Sequence, residues 1–393
     1  MAENRDNEKR LVRIEDLRHC LIAAFERLEL PREDAEQVAE VLLDSELRGH
    51  ECHGVHLLGF LANAYRGDMN PRPRIRVLRE TDGALLLDGD RSHVVGAMRA
   101  MRWCVERARE REGMAVAGVR NSQPIVPGFY ARMAAEAGLI GFACANAIPM
   151  VAPPGGRTPT FGTNPIAYAI PAGRYPPVVL DVATTTGAAF KVRLAAQRNR
   201  PVSEGMILDH EGRPTTDPNE FIRGGLMAPL GSPAAPHKGF GLALVFDALA
   251  GVMTGAAFAR DLASEPATAG NTFFWALDVE AFLPREEFLG RMEVQIEQVK
   301  AGERLAGVDE LLVPGERSHR RYQGLIARGT APLSGATWEA LTKACASLSI
   351  APPPALAAEP SPQTARRPSI ARTGGRSRAL PAGGLLFVHF LFT

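Results

Sequence analysis

Between residues 84 and 182 the sequence alternates short apolar runs of strand length with longer stretches of helical periodicity. Apolar runs of four to eight residues are typical of strands, whereas apolar residues three and four apart form one face of a helix. Strands and helices in one stretch predict a mixed sheet covered by helices, and so an α/β protein. The predicted strands are 84–88, 114–119, 139–145, 166–170, 177–182 and 272–279, and the predicted helices are 96–113, 129–138, 238–252 and 286–299.

Several common enzyme signatures are missing from the sequence. It has no Gly-x-Gly-x-x-Gly after a strand and no Walker A loop, so a standard Rossmann dehydrogenase and a P-loop enzyme are disfavoured. It also has no Gly-x-Ser-x-Gly and no His-Glu-x-x-His, which disfavours an α/β-hydrolase and a zincin-type protease.

The two ends of the chain differ from the middle. Apolar residues at helical spacing predict a helix over 11–30, and Pro31 with the acidic residues after it predicts the start of a second helix. Residues 351–393 hold much proline, alanine, serine and arginine and little large apolar content up to about residue 384. We therefore expect a disordered tail over 351–393, outside the fold.

Composition and charge argue against several other classes of protein. Lys plus Arg is 45 and Asp plus Glu is 44, a balance that argues against nucleic acid as a partner. The charged first ten residues do not resemble a secretory signal, and no run of 18 apolar residues predicts a membrane span, so we expect a cytoplasmic protein. The five scattered cysteines predict neither a disulfide framework nor a thiolate zinc site.

A histidine cluster is the densest polar feature. His50, His53 and His56 lie within seven residues, next to Arg48. Imidazole titrates near neutral pH, so the cluster suits general acid/base chemistry. The spacing also resembles that of metal ligands, although on a helix His56 would lie about 120° from His50. A helix end with solvated histidines is the third interpretation.

Three further segments carry candidate ligand contacts, each with a simpler alternative. Residues 181–186, Asp-Val-Ala-Thr-Thr-Thr, follow an apolar strand and suit a phosphate or polar cofactor edge, or are an ordinary helix cap. Lys238 is flanked by His237 and Gly239 and could hold an anion, or lie in water. Residues 314–317, Pro-Gly-Glu-Arg, could contact a cofactor ribose or phosphate, or form a solvated basic turn.

Taken together and in order, these segments resemble the type-2 malate/L-lactate dehydrogenase family. The resemblance spans about residues 10 to 350 and implies a non-Rossmann NAD(P)-binding fold with a large mixed, largely antiparallel sheet. It implies a helical domain built from both chain ends, a homodimer and a small-molecule substrate. The expected parts are 1–83, helical with the histidine motif; 84–310, the NAD(P)-binding sheet domain; 311–350, helical and packed on the N-terminal part; and the tail 351–393. The matching segments are 48–55, 149–156, 162–165, 181–185, 214–218, 237–242 and 314–316.

The resemblance also implies site residues. His53 takes the position of the family's proton donor, with Cys52 in place of the usual serine, and Asp181 is expected to orient it. The cofactor is NAD or NADP, and no metal is expected. The implied cofactor contacts are Asn164, Ala183, Thr184, Thr185, Lys238, Gly239, Pro314, Gly315 and Glu316.

The positions expected to bind the substrate depart from the family pattern. Leu57 stands where many members carry an arginine that binds the substrate carboxylate, Gln123 and Pro124 stand where a histidine is expected, and Ala147 replaces a serine. Losing a bidentate arginine removes charge-assisted hydrogen bonds of about 1.5–3 kcal/mol each. The sequence offers four residues as replacements in the substrate pocket: Arg48, His50, His56 and Arg120.

The favoured interpretation is an NAD(P)-dependent oxidoreductase acting on a C=O carbon, as in a 2-oxo or 2-hydroxy acid, or on a C=N carbon. His53 would exchange the proton while the cofactor carries the hydride. The altered pocket favours a specialised substrate over malate chemistry, a hypothesis that ordinary rates with pyruvate or oxaloacetate would refute. Two alternatives stay open: a degenerate member that binds a nucleotide or a protein partner, and a metal-dependent hydrolase using the three histidines.

Overall fold

A computed structural model of the 393-residue chain describes residues 9–124, 126–265 and 270–356. The strands are β1 (Arg10–Arg13), β2 (Arg76–Glu80), β3 (Ala84–Ser92), β4 (Met114–Ser122), β5 (Ile140–Asn146), β6 (Ile166–Ala172), β7 (Tyr175–Val182), β8 (Ile207–Leu208), β9 (Pro214–Thr215), β10 (Leu226–Met227), β11 (Asn271–Leu277) and β12 (Thr330–Leu333). The helices are α1 (Ile14–Arg27), α2 (Arg32–Arg48), α3 (Leu58–Arg66), α4 (Val94–Glu110), α5 (Pro127–Glu136), α6 (Ala189–Gln197), α7 (Pro218–Ile222), α8 (Pro236–Asp247), α9 (Arg285–Lys300), α10 (Glu316–Arg328) and α11 (Gly335–Ser347).

A seven-stranded mixed sheet forms the centre of the fold, in the order β2-β3-β4-β11-β5-β6-β7. Only β3 and β4 pair in parallel; the other neighbours in this sheet pair antiparallel. Strand β11 comes from late in the chain and lies between β4 and β5, with Phe274 opposite Ala117 and Ala143. These side chains belong to the main apolar core, together with residues of α4 and α5. The predicted mixed, largely antiparallel sheet is therefore confirmed.

Both ends of the described chain contribute to one helical layer. Strand β1 pairs antiparallel with β12, and the side chains of α1, α2, α3 and α11 share the main core. Cys20 of α1 lies 3.5 Å, sulfur to sulfur, from Cys345 of α11. The helix predicted over 11–30 is wrong at its start, because Arg10–Arg13 is a strand whose partner, β12, is more than 300 residues away. Local periodicity does not reveal a pairing of that range.

The first residues of the predicted tail pack against the fold. Ala355 forms a bridge with Val12, and the Leu356 N–H donates to the Leu11 carbonyl at 2.8 Å. Strand β1 therefore has a second neighbour on its open edge, which a compositional rule does not detect. The rest of the predicted tail, 357–393, lies outside the described residues, as do residues 1–8.

The parallel pair β3 and β4 positions the site. Ser92 at the end of β3 lies opposite Ser122 at the end of β4, so the residues that follow both strands meet at one edge of the sheet. The end of β7 and the start of α6 line the same cavity as these residues, as described below. Within the described ranges, no helix is both long and apolar enough to cross a membrane.

Candidate active site

A cavity of about 470 Å³ lies at this edge of the sheet, within the size range of ligand sites. Its lining comes from distant parts of the chain, so only the folded protein assembles it. The polar side chains facing it include those of His50, Cys52, His53, His93, Gln123, Asn146, Asp181, Thr185 and Lys191.

His53 occupies a short 3-10 turn, Glu51–His53, after the end of α2. That helix ends at Gly49, whose φ of 89° is the left-handed conformation that glycine adopts without strain. The turn is held by the buried carboxylate of Glu46, which accepts a hydrogen bond from the Val55 N–H at 3.1 Å. The His53 ring packs edge-on against Phe190 of α6, with 5.8 Å between centroids. The site thus fixes this histidine from two sides.

The environment of His53 keeps the ring uncharged. Burial, followed by the charges of His50 and Lys191, lowers the pKa of His53 to about 4. Its Nδ1 lies 3.2 Å from the Cys52 sulfur, and burial raises the pKa of that thiol. At neutral pH the imidazole is therefore a base that can accept a proton from a hydroxyl group.

Lys191 is an exposed cation in the first turn of α6 that also lines the same cavity. Its charge helps to lower the pKa values of His53 and His50 and opposes the rise in the pKa of Cys52, which places it near all three. Among the described residues, no acidic side chain forms an ion pair with it. The cavity thus offers an uncompensated positive charge beside the predicted proton-exchanging residue.

Asp181 lines the cavity, and among the described residues it forms no hydrogen bond with His53. Its carboxylate accepts a hydrogen bond from the Gly128 N–H at 3.2 Å, at the start of α5, where backbone N–H groups lack helical partners. Burial raises the pKa of Asp181 to about 6, and the nearby Arg132 guanidinium opposes this rise. The end of β7 lies beside the N-terminus of α5, and Nδ1 of His53 lies beside Cys52, so the orienting role of Asp181 stays a prediction.

Three of the four predicted substrate residues lie outside the cavity. Arg48 donates to Asp44 at 2.8 Å and stacks on the ring of Tyr322, lining a separate cavity of about 390 Å³. Arg120 forms an ion pair with Asp88 on the neighbouring strand. These arginines already have buried or half-buried partners, which sequence spacing does not show.

His56 lines an adjoining cavity of about 520 Å³. His50 is the one of the four that lies in the cavity with His53. Within the described ranges, no group of three His, Cys, Asp or Glu side chains is arranged to hold a metal ion. In particular, the three clustered histidines do not converge.

Of the predicted cofactor contacts, some line the cavity and others do not. Ala183 and Thr185 line the cavity, while the Thr184 hydroxyl donates to the Thr163 carbonyl at 2.9 Å. Asn164 is buried, and its side-chain amide donates to the Ala243 carbonyl at 2.9 Å. Thr184 and Asn164 therefore brace the loops that form the cavity wall.

The other five residues of the prediction, in the two segments 238–239 and 314–316, do not line the cavity. Lys238 is exposed in the first turn of α8, and Gly239 packs so closely on Leu230 and Thr184 that a β-carbon would clash. The Pro314 carbonyl accepts from the Val179 N–H at 3.0 Å, and Gly315 packs against Val179.

Glu316 forms ion pairs with Lys300 and Arg320. Its carboxylate is therefore committed within the chain. The cofactor contact at Glu316 stays a prediction, and the sequence motif does not show that two cations flank the acid.

The residues that do line the cavity fit a nicotinamide cofactor. Small side chains at 145, 147, 183, 188 and 189 leave room for a planar ring. The start of α6 adds backbone N–H groups that lack helical partners, and such groups suit a phosphate. When bound, such a cofactor supplies or accepts a hydride.

Sequence reasoning missed Lys191, His93 and Phe190. Lys191 follows the threonine segment by five residues, so a helix predicted after that segment would have placed a lysine in its first turn. His93 follows a strand that ends beside β4. The sequence does not show that these two strands pair, so it gives no sign that His93 reaches the site.

A family model described as malate/L-lactate dehydrogenase matches residues 12–342. The malate dehydrogenase of Pyrococcus abyssi is 35% identical over 312 residues, covering 77% of this chain and 85% of that protein. The structure of malate dehydrogenase from Pyrococcus horikoshii OT3 has a TM-score of 0.80 at 31% identity, covering 88% of this chain and 98% of that one. The Δ1-piperideine-2-carboxylate reductase of Pseudomonas syringae has a TM-score of 0.74 at 26% identity, covering 85% and 99%.

With the fold and the cavity, these similarities define an NAD(P)-dependent oxidoreductase that transfers hydride to or from the carbon of a C=O or C=N group. The chain belongs to the malate/L-lactate dehydrogenase family. The resemblance noted in the sequence, the enzyme class and the use of NAD or NADP are thereby confirmed.

Proposed function

We propose that the chain interconverts a 2-hydroxy acid and the corresponding 2-oxo acid, with Lys191 binding the carboxylate and His53 exchanging the proton. The observation that carries this proposal is the position of Lys191. It is a cation without an acidic partner among the described residues, and it lines one cavity with His53. An ammonium group can bind a carboxylate where Leu57 offers no charge.

The proton chemistry follows from the state of His53. In the oxidation direction, the neutral ring accepts the hydroxyl proton while the hydride leaves the same carbon and the C=O bond forms. In the reduction direction, the protonated ring returns that proton to the carbonyl oxygen. A carboxylate bound on Lys191 offsets the positive charge that opposes protonation of His53, because opposite charges favour each other at short range.

The lining also supports a preference for substrates with one carboxylate. Leu57, Phe60 and Leu61 line the cavity and cannot compensate a second buried negative charge, and Arg193, a second cation of the lining, is exposed and lies over the ring of Phe190. We therefore expect oxaloacetate, a dicarboxylate, to be a poor substrate. The physiological acid would carry one carboxylate and an uncharged side chain.

A substrate panel tests the proposal. The purified protein is assayed with NADH and with NADPH against 2-oxo monoacids, their methyl esters, oxaloacetate and cyclic imine acids. Lys191→Met should raise KM for the best 2-oxo acid at least tenfold and leave KM for its ester within about twofold, since the lost hydrogen bond is charge-assisted.

Lys343→Met is the matched control, because Lys343 lines the adjoining cavity with His56 and the substitution removes the same charge. Equal effects of Lys191→Met on the acid and on the ester would contradict the assigned carboxylate contact. Turnover of imines alone would move the substrate class from C=O to C=N.

We also propose that the protein is a homodimer that associates through α8 and the π-helical turn after it, Ala248–Val252. One side of this segment is buried in the chain at Ala243, Phe246 and Ala250. Five other apolar side chains of the segment are exposed, and a helix that is apolar all round is normally buried. We call their exposed surface the α8 face; it is formed by Leu242, Leu244, Val245, Val252 and Met253.

A further inference from the structure

His93 has a fixed place at the edge of the cavity. It follows β3 and precedes the first residue of α4. The Ser122 hydroxyl donates to the His93 carbonyl at 3.0 Å, and the Gln123 N–H donates to the Ser92 carbonyl at 3.2 Å. Both parallel strand ends therefore hold its backbone, so the side chain is not on a free loop.

The imidazole of His93 is buried, with 1% of the residue exposed, and lines the cavity. Neither ring nitrogen has a hydrogen-bond partner among the described residues. Its aromatic neighbour is Tyr65, edge-on at 6.4 Å between centroids. Unpaired buried polar groups are rare and destabilising, and one that faces a cavity is available to a ligand.

Charge distinguishes the environment of His93 from that of His53. Burial alone lowers the pKa of His93 to about 3, whereas the charges of His50 and Lys191 contribute at His53. The ring of His93 is therefore neutral, with one nitrogen as donor and one as acceptor. It lies in an uncharged part of the cavity, apart from the cation proposed to bind the carboxylate.

We propose that His93 is a substrate-binding residue that determines specificity: its imidazole hydrogen-bonds an uncharged polar group, such as a hydroxyl or an amide, on the substrate side chain. This inference rests on the proposed 2-oxo acid chemistry. An apolar side chain would leave both ring nitrogens unpaired, and sites built to bind a hydroxyl discriminate strongly against analogues that lack it. A second carboxylate would find no positive charge at this ring.

The first test compares two substrates of nearly equal size, 3-hydroxy-2-oxopropanoate and 2-oxobutanoate, which differ by a hydroxyl in place of a methyl group. The unchanged enzyme should have the higher kcat/KM for the hydroxylated acid. His93→Phe should reduce that ratio by about 10- to 100-fold, and His93→Gln, which keeps a donor and an acceptor, should reduce it much less.

Binding of NADH and NADPH serves as the control and should be equal in both variants. A ratio unchanged in His93→Phe would overturn the proposal. A merely structural role would lower kcat/KM for both acids together and leave the ratio intact.

A second test does not depend on turnover. The protein is labelled with 15N-histidine, and the ring signals of His93 are assigned by their loss in His93→Gln. With reduced cofactor present, 2,3-dihydroxypropanoate cannot react and should shift these signals, whereas 2-hydroxybutanoate should bind more weakly and shift them less.

Binding of the dihydroxy acid without a shift at His93 would refute the assigned contact. If the enzyme reduces no 2-oxo acid but the His93 signals respond to the dihydroxy acid, the proposed reaction fails and the His93 contact stands. Absence of both turnover and binding would overturn both proposals.

Discussion

The sulfur of Cys52 lies 3.2 Å from Nδ1 of His53, the position at which a carboxylate would stabilise an imidazolium. A neutral thiol can donate or accept, so it favours neither ring tautomer and adds no negative charge. The thiol therefore does not oppose the lowering of the His53 pKa, which burial and the charges of His50 and Lys191 cause.

The first prediction concerns Cys52 itself. Cys52→Ser should keep kcat within about threefold, because a hydroxyl also donates and accepts at this position. Cys52→Ala should lower kcat about fivefold, the equivalent of roughly 1 kcal/mol for one lost hydrogen bond. Steady-state rates with the best 2-oxo acid test both, and equal rates for the serine and alanine variants would contradict the role of this contact.

His53→Gln should lower kcat by about 10²- to 10⁴-fold, the usual contribution of a positioned acid or base. Binding of NADH and NADPH, followed by energy transfer from tryptophan, should be unchanged. His210→Gln is the matched control, since His210 is exposed and lies beside Glu211 and Glu220. If His53→Gln kept normal turnover, His53 would not be the group that exchanges the proton.

The rate of reduction should fall with rising pH. Only protonated His53 can give a proton to the carbonyl, and its pKa in the free enzyme is about 4. Hence kcat/KM for reduction should fall about tenfold per pH unit across pH 5–8, without the plateau below 6.5 that an ordinary histidine would give. Oxidation, which needs the neutral ring, should be nearly flat over the same range.

Asp181→Asn identifies the group responsible for that profile. Asp181 also lines the cavity, and its pKa of about 6 falls within the tested range. The variant should keep the same slope if His53 dominates. A plateau that disappears with Asp181→Asn would assign the titration to the carboxyl group instead.

Stability at acid pH should report the burial of His93. Unfolding gives this histidine an ordinary pKa near 6.5, whereas the folded pKa is about 3. Between these values the unfolded chain binds a proton that the folded protein does not, so stability falls as pH falls. His93→Gln should therefore gain about 1.4 kcal/mol over the unchanged protein for each pH unit lowered between 6 and 4.

Urea denaturation at pH 6, 5 and 4 measures this difference, and comparison with the variant cancels the other buried groups. A constant difference across these pH values would mean that His93 titrates normally in the folded state.

The proposed dimer predicts a specific disruption. Leu244→Glu places a charge in the α8 face and should convert the dimer to a monomer of about 42.3 kDa. Ile222→Glu is the control, because Ile222 is an equally exposed apolar residue on α7. Light scattering after size exclusion gives the masses. A monomeric unchanged protein, or a dimeric Leu244→Glu variant, would contradict the proposed interface.

Local patterns predicted much of the sheet and its helices. The apolar run at 139–145 corresponds to β5, and the helical stripe at 286–299 corresponds to α9, each within one or two residues. These elements are long enough for burial to impose a clear period. Strands β1 and β12, of four residues each, have no such period and form because they meet each other.

The candidate site was predictable only where its residues are close in sequence. His50 and His53 were found as a cluster, and Ala183 and Thr185 as a motif. His93 and Lys191 reach the same cavity through the pairing of β3 with β4 and through the helix that follows β7. Likewise, the partners of Arg48 and Arg120 depend on packing that no motif encodes.

The position of β11 late in the chain also has a consequence for biosynthesis. Strands β4 and β5 cannot join the sheet fully until β11 enters between them, and 125 residues separate Asn146 from Asn271. At about 5–20 residues per second, the ribosome needs roughly 6 to 25 s to make that stretch. During this time both strands expose an unpaired edge, which invites pairing with other chains. The order of the strands along the chain therefore sets how long these edges stay open to other chains during synthesis.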